Sequence, residues 1–155
     1  MKTSLKRSFY MGLFCCPIGI LIGIYISISA IGSGYDWFPF YAGLASFLTP
    51  LGFWIILIET HRTYRISLGI AVGILSGIIS HYVCWYLWII SANVQHLFFD
   101  SFHSSLGDPP MNLIEGFTGS LGLTYFSLLF FGWLTIPAGG IIGGIYCWHL
   151  KRKVS

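Results

Sequence analysis

Charged side chains interrupt this chain so seldom that the intervals between them set its organisation. Four stretches, 9–31, 38–58, 66–90 and 121–150, contain no Asp, Glu, Lys or Arg. A helix needs about 20 mainly apolar residues to cross the roughly 30 Å of a bilayer's hydrocarbon. Each stretch meets that requirement. The breaks fall at Gly32-Ser33-Gly34, at 59–65, and across 91–112, where Asp108-Pro109-Pro110 denies a helix both backbone donors and the α conformation. The pattern predicts an all-α integral membrane protein, a single membrane domain over 1–155. The short first two connections favour an up-down bundle of four transmembrane helices.

Composition agrees with the pattern. Of 155 residues, 8% are charged and 55% hydrophobic, and the mean hydropathy is +0.78. Soluble domains carry about a quarter charged residues. A soluble enzyme, a disordered tail and a nucleic-acid binder are excluded, because none can leave so much apolar surface in water. The net charge of +3 is also too small to hold a polyanion. The lipid bilayer is the first partner the composition requires.

The cations orient the spans. Lys2, Lys6 and Arg7 precede the first, Arg62 and Arg65 lie between the second and third, and Lys151, Arg152 and Lys153 follow the fourth. In the up-down threading all of these share one side, and Lys and Arg accumulate on the cytoplasmic side. Both termini are therefore expected in the cytoplasm, with a bacterial inner membrane as the expected location. Asp36, Asp100, Asp108 and Glu115 fall on the other side, which leaves Glu59 alone among the cations. The first apolar run exceeds the 7–15 residues of a signal-peptide core, so it is expected to be retained as a span. Tyr35, Trp37, Phe38, Tyr41, Trp85, Tyr86 and Trp88 gather toward the outer ends as an interface belt.

Small-residue spacing is the strongest internal motif. Gly69, Gly73 and Gly77 recur every four residues in the third span, and Gly139, Gly140, Gly143 and Gly144 form two overlapping rows in the fourth. Gly19 and Gly23 repeat the spacing in the first. Such glycine-zipper rows let helix backbones approach closely, either inside the bundle or against a partner. His81 continues the first row at the next interval of four. It is expected at the same packing seam, bonded to a neighbouring helix; a haem would need a second histidine at matching depth, and none is placed there. Pro17, Pro50 and Pro137 should each bend a helix by freeing a carbonyl four residues earlier. Cys15, Cys16, Cys84 and Cys147 lie within spans without a Cys-x-x-Cys pair, and read as packing residues.

Outside the spans, His96, Asp100 and His103 are spaced i, i+4, i+7, with Leu97, Phe98, Phe99 and Phe102 on other parts of the wheel. This predicts a short interfacial helix in the outer connection between helices three and four, with the polar stripe as its wet face. The same three side chains, joined by Asp108 or Glu115, would also suit Zn²⁺ or Cu²⁺. No other cofactor is expected.

The spans contain no nucleophile–base or acid–base constellation. The expected function is that of a small membrane protein acting through helix–helix contacts, by its glycine faces and outer loop, on another membrane protein or a second copy of itself. Accessory, assembly and immunity or exclusion proteins are of this kind. The alternatives are a membrane enzyme or ion-handling protein using His96, Asp100 and His103, or a small transporter subunit.

Overall fold

The computed structural model describes residues 2–30, 34–99 and 109–154, and among them every regular element is helical. Helix α1 is Lys2–Ser29 and α2 is Phe38–Phe53, which passes directly into a π-helical segment, Trp54–Glu59. Helix α3 is Ile66–Phe99 and α4 is Leu113–Val154. Among the described residues four helical stretches, Ser4–Ser29, Phe38–Glu59, Ile66–Phe98 and Leu113–Lys153, are long and apolar enough to cross a membrane.

The termini of these elements follow local chemistry. Pro39 sits in the first turn of α2, where its missing N–H costs nothing. Asn112 caps α4, its Oδ1 accepting from the backbone N–H groups of Ile114 and Glu115 at 3.1 and 2.9 Å. Glu115 in the first turn and Lys151, Arg152 and Lys153 in the last complement the helix dipole. That capping starts α4 well before residue 121, where its apolar run begins.

Helix α3 likewise outruns its apolar stretch. Nothing between Ile90 and Phe99 is Gly or Pro, and the helix continues unbroken through Val94–Phe99, so these residues extend α3 and do not open a separate helix. The rest of the expected interfacial helix, with Asp100 and His103, lies outside the described residues.

Pro50 interrupts the hydrogen-bond ladder of α2, and one turn later the helix widens. The N–H of Thr60 donates to Ile55 O at 3.0 Å and that of Thr63 to Ile58 O at 3.3 Å, both spaced i to i+5. The chain then turns through Arg62, held at φ 49°.

Helix α1 packs on α2 through small residues. A Cβ at Gly12 would meet Phe47 O at 2.6 Å, and one at Gly23 would meet Pro39 Cα at 2.5 Å. Two apolar clusters fill the interior. One joins Met11, Cys15, Trp54, Ile58, Val72, Cys147 and Leu150, and the other joins Phe38, Ala42, Ala45 and Cys84. All four cysteines are free thiols. Leu21, Ile28, Phe130 and Trp133 are among many large apolar side chains exposed on the outside, as expected where the solvent is hydrocarbon.

Arg7 bonds Tyr64 of the α2–α3 connection, and Lys6 and Lys153 line one groove. The beginnings of α1 and the end of α4 thus meet that connection at one end of the bundle, called here the basic end. At the far end Trp85 packs on Phe38 and Trp88 stacks on Tyr35 with ring centroids 5.6 Å apart, the Trp88 indole donating to Gly34 O at 2.9 Å. Beyond Trp88, α3 runs on for about 16 Å at 1.5 Å per residue, alongside the start of α4.

Candidate functional site

Three places bring polar or close-packed residues together: the seam between α3 and α4, a cluster at the basic end, and the extension of the α3–α4 pair at the far end.

The seam is built by the glycine rows. A Cβ at Gly69 would lie 2.5 Å from Gly143 O, one at Gly73 would collide with the backbone of Gly139, and one at Gly77 would lie 2.9 Å from Thr135 O. Gly139 and Gly143 meet the backbones of Gly73 and Gly69 in return. The backbones are in direct contact, close enough for Cα–H groups to face carbonyl oxygens. Gly140 and Gly144 lie on the neighbouring stripe, and a Cβ there meets the side chains of Ile74 and Ile70 at 3.2 and 2.8 Å. Hence the rows of α3 and α4 are occupied by each other.

His81 extends this seam as a buried polar bridge. Its Nδ1 lies 2.6 Å from Ser127 Oγ and its Nε2 lies 2.9 Å from Thr135 Oγ1. Thr135 has one hydroxyl hydrogen, and it donates to Phe131 O at 3.2 Å. Thr135 must therefore accept from Nε2–H, which leaves Nδ1 to accept from the Ser127 hydroxyl. A neutral imidazole in this tautomer satisfies all three side chains. Two voids of about 30 Å³ beside it are lined by further hydroxyls, including Ser46 and Ser80. Replacing His81 with Phe is expected to lower stability by about 1 to 3 kcal/mol, since it removes two interhelical hydrogen bonds, each worth about 0.6 kcal/mol on average and about 1.7 at most in membranes. Thermal unfolding in detergent reads this. A drop several times larger would mean that the ring supports more than two side-chain bonds.

The basic-end cluster joins residues far apart in sequence. Arg7 Nη1 donates to Tyr64 Oη at 2.6 Å, and the Tyr64 hydroxyl donates to Glu59 Oε2 at 3.1 Å. The guanidinium also lies 5.4 Å from the Tyr64 ring centroid. Tyr146 of α4 donates to the Arg7 carbonyl at 2.9 Å and packs on Trp54, with ring centroids 5.0 Å apart. Glu59 is only 8% exposed, and its second oxygen, Oε1, is buried without a hydrogen-bond partner. The widened π turn is what carries Glu59 inward at the end of α2. Burial and the hydrogen bond to Glu59 push the Tyr64 phenol above its ordinary acidity range, outweighing the nearby Arg7. It remains a neutral donor throughout physiological pH. In the sequence only one signal marked this place, Glu59 as the lone acid among the cations; the parts played by Arg7, Tyr64 and Tyr146 carried none.

At the far end, Asn93 Nδ2 donates to Met111 O at 2.8 Å and Gly116 lies against Ile89, which ties the start of α4 to the extension of α3. His96 is half-buried there, and its buried Nδ1 has no hydrogen-bond partner among the described residues. Asp100, His103 and Asp108, its expected companions, lie outside the described residues. Among the described residues no group of three or more His, Cys, Asp or Glu side chains could hold a metal ion. The surface of the extension is apolar: Leu97 is 75% exposed, Phe98 76% and Ile114 85%, with Val94, Met111 and Leu113 exposed beside them.

Comparison with protein-family models, with curated proteins and with solved structures found no match.

Proposed function

We propose that this chain is a four-span integral membrane protein of up-down topology, both termini cytoplasmic, that acts by docking on another membrane protein through its α3–α4 extension. It belongs in this reading with accessory, assembly and immunity or exclusion proteins of an inner membrane. The observation that carries it is the apolar surface of the extension. From Ile66 to Trp85 is about 29 Å of helix, the thickness of the hydrocarbon, so the bilayer fits between Arg65 and the aromatic belt. Helix α3 has 34 residues and α4 has 42, about 51 and 63 Å. Both therefore stand past the belt, where Leu97, Phe98 and Ile114 leave the acyl chains. Exposed apolar side chains grouped outside hydrocarbon favour a protein contact. The glycine rows do not serve this contact, being taken up between α3 and α4.

A photo-crosslinking amino acid at Leu97 or Ile114 in native membranes is expected to capture a protein, while the same group at Leu21, exposed in the middle of the first span, captures lipid. Equal protein capture at all three positions, or none at Leu97 and Ile114, would sink the proposal. The alternative of an ion-handling protein draws on the buried Nδ1 of His96, which has no partner among the described residues. It requires stoichiometric Zn²⁺ or Cu²⁺ in protein purified without chelator, lost on His96→Ala.

A further inference from the structure

At the basic end a groove of about 820 Å³ opens between α1 and α4. Its rim carries Lys6 and Arg7 from α1 and His149 and Lys153 from α4. Deeper in, its wall is Phe14, Ile142 and Ile145. Among the described residues no acidic side chain lines it. The two helices thus present the same gradient. From Lys6 to Phe14, and from Lys153 back to Ile145, is about 12 Å of helix, over which each wall passes from cationic to apolar. Tyr10, midway between Lys6 and Phe14, occupies the intermediate depth, where an amphipathic ring is at home.

We propose that this groove binds an anionic glycerophospholipid, its phosphate between Lys6, Lys153 and His149 and an acyl chain along Phe14, Ile142 and Ile145. The charge is complementary, and the depth of each group matches that of a lipid lying at the membrane surface. A peptide or soluble anion would leave the apolar wall uncovered. A neutral lipid would leave the cations without a counter-charge. Arg7 gives one N–H to Tyr64 and keeps the rest of its guanidinium fork at the rim. A second groove of about 690 Å³, on the opposite flank of α4, serves as contrast. It is lined by Ile66, Ile70, Ile74, Pro137 and other uncharged residues, and it gives no reason to select one lipid headgroup over another.

The test is native mass spectrometry of the purified full chain in detergent doped with equal phosphatidylglycerol and phosphatidylcholine. Phosphatidylglycerol should be retained in excess. The Lys6→Ala/Lys153→Ala variant should lose that preference by roughly tenfold or more, given what each cation contributes near an anionic headgroup. Arg62→Ala, a cation outside the groove, should leave it intact. Ile145→Trp, which fills the apolar wall with both lysines in place, should also release the lipid, so the result does not hang on one variant. Millimolar inorganic phosphate should not displace it. Equal retention of the two lipids, an equal loss with Arg62→Ala, retention undiminished in both groove variants, or displacement by inorganic phosphate would each overturn the proposal.

Discussion

Gly73→Ala is expected to destabilise the protein by on the order of 3 kcal/mol, the upper part of the range for overpacking a rigid site. The added methyl would strike the Gly139 carbonyl, and a backbone cannot turn aside as a side chain can. Relief requires α3 and α4 to separate, and separation also strips Gly69 and Gly143 of their contacts. In lipid no hydrophobic gain compensates, because acyl chains solvate apolar surface as well as a neighbouring helix does. Gly140→Ala should be far milder, since the nearest atoms to its methyl are in the side chains of Ile74 at 3.2 Å and Ile70 at 3.6 Å, which can give way. At Gly122 nothing lies within 4 Å of an added methyl, so Gly122→Ala should be neutral or slightly stabilising through helix propensity. Thermal unfolding of the three variants in one detergent checks the order. Equal midpoints would show that the α3–α4 seam is not a rigid backbone contact.

That contrast between Gly139 and Gly140 marks a boundary of what spacing can convey. The four-residue rows announced that α3 and α4 would each take a close helix neighbour, inside the bundle or outside it, and not that they would take each other. Adjacent residues of a helix point about 100° apart, so of each pair only one member can meet the partner backbone, and spacing does not choose which. The α1–α2 contact was legible from one side only, through the Gly19 and Gly23 row, which meets Ala42 O and Pro39 Cα at 2.5 Å each. Gly43 stands outside any row, yet an added Cβ there would come within 2.7 Å of Ile20 Cγ1. Its neighbours come from another helix, and nothing in its own surroundings in sequence records them.

Helix ends show a related limit. Apolar content marks where a chain is dissolved in lipid; helix ends mark where the hydrogen-bond ladder stops. The two coincide at the end of α1, near Gly32-Ser33-Gly34, and diverge in α3, where polar Ser91, Asn93, Gln95 and His96 carry the ladder on without a breaker. The far-end extension, on which the functional proposal rests, exists because of that divergence. Two of the three members of the expected metal stripe fall beyond the described residues, while His96 stands on the extension itself.

The basic-end cluster was the least legible part, because it joins α1, the end of α2, the following turn and α4 by contacts that no periodicity relates, and the second large effect is expected there. Tyr64→Phe should cost about 3 kcal/mol: hydrogen bonds to charged groups are worth about 1.5 to 3 kcal/mol each, and the phenol makes one to Arg7 and one to Glu59. Without the hydroxyl, Glu59 keeps a buried charge with neither oxygen bonded. Glu59→Gln should cost less, because it removes the charge and retains an acceptor for Tyr64. In the Glu59→Gln background, Tyr64→Phe should fall to about 2 kcal/mol, because the bond to Arg7 persists and the bond to the amide is that of a neutral pair, which is a coupling of about 1 kcal/mol in a double-mutant cycle. The pH dependence follows from the phenol, whose acidity in the folded protein is pushed above the ordinary value of 10.0 by burial and by Glu59. A raised folded value means the stabilisation is complete below pH 10 and is lost as pH rises through the folded value. The difference between the parent and Tyr64→Phe should therefore stay constant up to about pH 9 and shrink in alkali. A Tyr64→Phe protein as stable as the parent, or costs that simply add with Glu59→Gln, would mean that Arg7, Tyr64 and Glu59 do not act as one unit in tying α1 to the end of the second span and the turn that follows it.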